Sequence, residues 1–132
     1  GGKVIQHLSG GPELLTAYRN RSLFTPVEHA LITAALDLRR LGHNQPIPTQ
    51  LLAEAADGYL TVRTRPSEPD WAATTLDDLT RGYRSGDPRN RTDVRHTLTA
   101  LTRHVTRSGT APTFEPADYL DHHTRRDRAD QL

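Results

Sequence analysis

Apolar positions recur at helical spacing along much of this chain. The clearest run is Val27, Ala30, Leu31, Ala34, Leu38 and Leu41, at alternating steps of three and four residues. That period puts one stripe of a helix over about 26–41 against a core, and Ile32 and Leu36 widen the stripe. Thr25-Pro26-Val27-Glu28 supplies its start, with Thr as N-cap, Pro at the first helical position and Glu at the third. Arg39 and Arg40 fill the last turn and Gly42 follows, as the helix dipole and a left-handed cap favour. A shorter helix is predicted from Pro12 through Tyr18. Beyond a turn carrying Pro46 and Pro48, residues 49–56 are rich in helix formers and stop at Asp57-Gly58. Tyr59, Leu60 and Val62 predict an extended apolar step. Ser67-Glu68-Pro69-Asp70 reads as a second capping box, opening a helix over about 68–82 that turns Ala72, Leu76, Leu79 and Tyr83 inward. Trp71 anchors its start and Gly82 closes it.

The remainder is less regular. Residues 84–91, with Gly86 and Pro88, predict a loop. Over 94–107 two readings stand side by side. Val94, Leu98, Leu101 and Val105 keep helical spacing, whereas Thr97, Thr99, Thr102 and Thr106 bring the β-branching of a strand. Ser108-Gly109-Thr110-Ala111-Pro112 is a turn, after which Thr113-Phe114-Glu115 can pair back. Asp118-Tyr119-Leu120 begins a final short helix, and the charged run from His122 is expected to fray or to lead into a further domain. The organisation expected is a tag or linker over 1–8, one domain over 9–121, and a charged tail or linker over 122–132. Its core is expected to contain Val27, Leu31, Ala34, Leu38, Leu41, Leu51, Leu52, Trp71, Leu76 and Leu79.

Composition narrows the class. Leu, Ile, Val and Phe make about a fifth of the 132 residues, the edge below which chains fail to build a core. With 17 basic against 16 acidic residues, the self-repulsion typical of disorder is absent. One small domain is therefore expected. The chain has no Cys, which excludes disulfides, thiolate metal sites and cysteine nucleophiles. No apolar run approaches the roughly 20 residues of a membrane span, so the expected location is the cytoplasm. The chain has no Met and begins Gly1-Gly2, and so reads as a processed chain or a piece of a longer protein. Arg far outnumbers Lys, as in proteins from GC-rich bacterial genomes.

Four phrases in order carry a resemblance. They are the run from Ala30 to His43, the run from Leu51 to Leu60, Asp70-Trp71, and Ala117-Asp118-Tyr119-Leu120-Asp121-His122-His123. Together, over roughly 9–125, they resemble a segment of large actinobacterial (Streptomyces-type) signalling proteins that combine a signal-transduction P-loop ATPase with tetratricopeptide repeats. The resemblance implies a mainly α unit, a small helical bundle ending in a C-terminal β-hairpin like a winged helix, and it favours a wing strand over 97–107. It brings no catalytic residue, and the stretch from Thr80 to Arg95 departs from the family pattern. The chain contains no Gly-x-x-x-x-Gly-Lys-Ser/Thr phosphate loop.

Candidate chemistry is sparse. His122-His123 near Asp118 and Asp121 suggests a metal, but adjacent His diverge on a helix and no His-x-x-x-His pair exists to set two ligands on one face. His96 and His104 could share a strand face, with plain surface histidines as the alternative. Glu68, Asp70, Asp77 and Asp78 form an acidic helix face, and no Gly-x-Ser-x-Gly elbow is present. No enzyme and no cofactor are therefore expected. The basic residues cluster instead: Arg81, Arg84, Arg89, Arg91, Arg95, Arg103 and Arg107 stand against only Asp87 and Asp93. These seven are the candidate contacts to phosphate or to a partner. Groove-reading helices need basic or amide side chains, and the helices over 49–57 and 68–82 are acidic. A regulatory or protein-interaction module, docking on flanking domains or on another protein, is therefore expected. The alternative is a winged-helix DNA-binding domain that uses the Arg-rich loop and wing over 81–107.

Overall fold

The computed structural model describes residues 11–21, 24–81, 100–105 and 111–131. Among them are five helices and three short strands: α1 (Gly11–Asn20), α2 (Pro26–Arg40), β1 (Ile47–Pro48), α3 (Thr49–Asp57), α4 (Trp71–Arg81), β2 (Leu101–His104), β3 (Thr113–Pro116) and α5 (Asp118–Gln131). The fold is mainly helical with a small antiparallel sheet.

The structure begins and ends α2 as the sequence signals require. Glu28 N–H donates to Thr25 Oγ1 at 3.1 Å and Thr25 N–H donates to Glu28 Oε1 at 2.8 Å, so the capping box closes in both directions. At the other end Gly42 adopts φ +104°, its N–H bonds the Arg39 carbonyl at 3.1 Å, and His43 N–H bonds the Leu38 carbonyl at 3.0 Å. This is a Schellman motif, which needs a left-handed residue that glycine supplies without strain.

Between those caps α2 is the centre of the molecule. The sequence predicts one apolar stripe, but every residue from Ala30 to Leu36 is buried. Helices α3 and α4, the strand β3 and α5 all pack against α2, and a helix covered on all sides has no solvent face to keep polar. Leu31, Ala34, Leu52, Leu76 and Leu79 are core as expected, and Val27, Leu38, Leu51 and Trp71 are half-buried against it. Leu41 is not: it is 83 % exposed. It lies at the C-cap, where the chain leaves the helix for the Gly42 turn, so the spacing that would carry it inward is broken.

Helix α4 starts later than its predicted box. Trp71 N–H bonds the Glu68 carbonyl at 3.3 Å and Thr74 N–H bonds the Asp70 carbonyl at 3.1 Å. Residues 68–71 thus form a tight turn and the helix opens at Trp71, with Leu76 and Leu79 buried. The expected apolar step at 59–62 buries only Leu60, and Val62 is 92 % exposed.

The strands join in the order β1-β3-β2, both pairs antiparallel, with Ile47 opposite Phe114 and Arg103 opposite Phe114 on its other side. Strand β1 replaces the predicted turn at Pro46-Pro48. Pro48 is tolerated because β1 is an edge strand whose missing N–H is not needed. In the ambiguous stretch, Leu101–His104 is strand, and residues 94–99, 106 and 107 lie outside the described residues. Ile47, Leu101 and Phe114 turn inward under α2. The last helix is not short: α5 runs from Asp118 through His122 to Gln131 and packs on α1. Leu120 and Thr124, one turn apart, are both buried.

Candidate functional site

The predicted arginine cluster is only partly described. Arg81 ends α4, and Arg84, Arg89, Arg91, Arg95 and Arg107 lie outside the described residues. Arg103 projects from β2, where its Nη1 stands 3.5 Å from Asp77 Oδ1 of α4. Both side chains are roughly half exposed, so the pair contributes about 0–1 kcal/mol. It ties β2 to α4. A second charged contact crosses from β3 to α2: Arg39 Nη2 donates to Glu115 Oε2 at 2.6 Å. His104 Nε2 stands 2.6 Å from the other oxygen, Oε1. That approach is off the line of a hydrogen bond.

A concave feature lies elsewhere, and its residues come from four separate parts of the chain. A cleft of about 430 Å³ lies where the end of α1 meets the first turns of α2. Tyr18 and Arg21 come from the first of these, and His29 and Thr33 from the second. The loop after α3 adds Tyr59, Thr61 and Thr64, and α5 adds Thr124.

The capping box places the histidine. By fixing the first turn of α2 it fixes His29, whose N–H makes the first helical bond to the Thr25 carbonyl at 2.8 Å. Thr33 is one turn further along and therefore on the same face. The Tyr18 ring stacks on the His29 ring at 4.5 Å between centroids and 8° between planes. Three polar contacts join them: His29 Nε2 to the Tyr18 carbonyl at 3.1 Å, Thr33 Oγ1 to His29 Nδ1 at 3.4 Å, and Tyr18 hydroxyl to Thr33 Oγ1 at 2.7 Å.

A carbonyl can only accept, so Nε2 carries the proton and Nδ1 accepts from the Thr33 hydroxyl. The Thr33 oxygen in turn accepts from Tyr18. All three contacts are then satisfied by a neutral imidazole. Burial, with the positive charge of Arg21 behind it, lowers the His29 pKa, and the bond to the Tyr18 carbonyl opposes them.

The rim is built by short polar turns. Thr64 Oγ1 accepts from Thr61 N–H at 2.8 Å, and Thr61 Oγ1 accepts from Thr64 N–H at 3.3 Å, which closes the loop on itself. The Tyr59 hydroxyl donates to the Asp37 carboxylate of α2 and holds that loop against the helix. On the opposite side Arg21 sits at φ +55°, a left-handed conformation uncommon outside glycine, asparagine and aspartate.

Nothing in the apolar pattern points to this cleft. The one sequence signal is a pair of polar residues four apart, His29 just before and Thr33 within the apolar run from Ala30 to Leu36. Among the described residues no group of three or more His, Asp or Glu side chains is placed to hold a metal ion. None of their helices is long and apolar enough to cross a membrane. No known family matches the chain, and neither a curated protein nor a solved structure matches it.

Proposed function

We propose that this chain is a winged-helix-like module without catalytic activity, which docks on flanking domains or on another protein within a cytoplasmic bacterial signalling protein. The order helix, strand, helix, helix, hairpin over residues 26–116 supports the winged-helix reading, as does the pairing of the early strand β1 with β3 of the hairpin. The resemblance to segments of signal-transduction ATPase proteins supports the setting.

The observation that carries the interaction role is the outward side of α4. In a DNA-binding winged helix the third helix meets the duplex. Here Ala73 and Thr74 are exposed, Asp77 and Asp78 are half exposed, and Arg81 at the end is the helix's only basic residue. Two carboxylates on that side repel phosphate, and no amide or basic side chain precedes Arg81 to read a base edge. A polar, mildly acidic surface suits a basic protein partner. The second reading, phosphate contact through the wing, is favoured among the described residues by the half-exposed Arg103.

Fluorescence anisotropy with a labelled random duplex separates the two. The wild-type chain is expected not to bind at physiological salt, whereas Asp77→Lys/Asp78→Lys gains salt-dependent affinity. Sequence-specific binding by the wild type would overturn the interaction reading. Carbodiimide labelling of Asp77 and Asp78 is expected to fall when the module is joined to its neighbouring domains. Equal labelling in both settings would exclude α4 as the docking surface.

A further inference from the structure

The cleft between α1, α2 and the 59–64 loop goes beyond the docking reading and does not rest on it. We propose that it binds a small hydroxylated organic anion, with Arg21 holding the anionic group and threonine hydroxyls holding the body. Four observations meet there. The first is size: 430 Å³ falls in the range of small-molecule sites, about 300–1,000 Å³. A bare inorganic ion would leave most of that space to water.

The second is charge. Among the described residues that line the cleft Arg21 is the only permanently charged one, and its guanidinium makes no ion pair among the described residues. It stands close enough to His29 to push that imidazole further toward the neutral form. Among the described lining residues no carboxylate answers this cation beside the half-buried imidazole, and an anion would complete the site electrostatically.

The third is the backbone. The chain holds Arg21 at φ +55°, where a glycine would be unstrained. Such outliers persist where surrounding structure demands them, and they gather at ligand sites. The fourth is the set of oxygens. Thr33 and Thr124 are buried, and Thr61 and Thr64 face one another at 3.1 Å. The Thr33 hydroxyl already donates to His29 and the Thr124 hydroxyl to the Leu120 carbonyl, so these oxygens offer lone pairs that accept from the hydroxyls of a polar body.

Thr124 belongs to α5 and the other lining residues to α1, α2 and the 59–64 loop. A bound anion therefore bridges the terminal helix to the core, and its arrival favours the docked position of α5 by mass action.

The test uses the whole chain, ¹⁵N-labelled, titrated separately with ribose 5-phosphate, gluconate and inorganic phosphate while amide shifts are followed. Ribose 5-phosphate or gluconate is expected to shift the amides of His29, Thr33, Thr61 and Thr124, and the one that binds more tightly identifies phosphate or carboxylate as the anionic group. Arg21→Gly removes the guanidinium while suiting the left-handed backbone, so it should fold at least as well as wild type. It should weaken binding by at least about tenfold, the loss expected of a charge-assisted hydrogen bond. Arg21→Lys should restore part of the affinity. The proposal is overturned if neither organic anion shifts these amides at 20-fold excess over millimolar protein, if inorganic phosphate binds as tightly as both, or if Arg21→Gly binds like the wild type.

Discussion

Leu31→Ala and Leu41→Ala make a matched pair, one in the middle of α2 and one at its C-cap. Both remove the same three carbon atoms, and Leu and Ala differ little in helix propensity. Leu31 is 0 % exposed and its cluster includes Ile32, Ala34, Ala35, Leu52 and Leu76, all likewise fully buried. Neighbours packed this tightly relax only partly into the space left behind, so the cavity adds to the lost transfer energy and Leu31→Ala should cost about 3–5 kcal/mol. Leu41 is 83 % exposed, so its truncation should stay within about 0.5 kcal/mol of wild type. For a domain of this size the first change lowers the melting temperature by roughly 11–18 °C. It also removes a large share of a total stability of about 5–15 kcal/mol. Guanidinium unfolding followed by far-UV circular dichroism reads both variants. If the two midpoints move equally, or Leu31→Ala leaves its midpoint unchanged, then α2 is not the buried centre of the fold.

Two further outcomes follow from particular atoms. Gly42→Ala places a Cβ in open space, with nothing within 4 Å, yet at φ +104°; the cost is backbone strain alone, about 1–2 kcal/mol, and a thermal melt showing no loss would remove the left-handed cap from the account. His29 titrates in the opposite sense to a salt-bridged histidine. Its folded pKa lies below the ordinary histidine value of about 6.5, so the unfolded chain takes up the proton first, and the stability that His29 confers is complete above that value and lost as pH falls through the folded pKa. His29→Gln should flatten the dependence of unfolding free energy on pH between neutral and mildly acidic solution, and an unchanged slope would show that the imidazole is not held neutral.

The elements that were legible in the sequence are those whose signals are local. Thr25 and Glu28 are three residues apart and cap one another whatever lies around them, and Gly42 terminates α2 through bonds that reach back only to Leu38 and Arg39. The strand β1 was not legible. Ile47 and Pro48 carry no alternation of their own, and they become a strand because Phe114 and Thr113, more than sixty residues later, offer carbonyls and N–H groups to pair with. The same dependence explains Leu41. Periodicity assumes that a helix continues, and the cap that ends α2 one residue earlier leaves Leu41 outside the buried stripe.

The cleft illustrates a deeper limit, because its defining residues fit the bland pattern as well as they fit a site. Thr33 is 5 % exposed among the apolar residues of α2, and a valine there would satisfy the same hydrophobic period. What distinguishes it is a hydroxyl that accepts from Tyr18 fifteen residues away and donates to His29 four residues away. A buried hydroxyl with no such partners would cost about 1–3 kcal/mol. The position therefore tolerates Thr because His29 one turn back and Tyr18, delivered by α1, both bond its hydroxyl. Neither α1 nor α2 alone contains that information. It arises when Tyr18 lies flat on His29 and the Arg21 turn follows directly behind, which is also what gathers a cation and several hydroxyls around one hollow. Thr33→Val tests whether the hydroxyl acts as a joint: a coupling with Tyr18→Phe of at least about 0.5 kcal/mol in a double-mutant cycle is expected for residues sharing one network. Strict additivity would mean that the two merely lie close together.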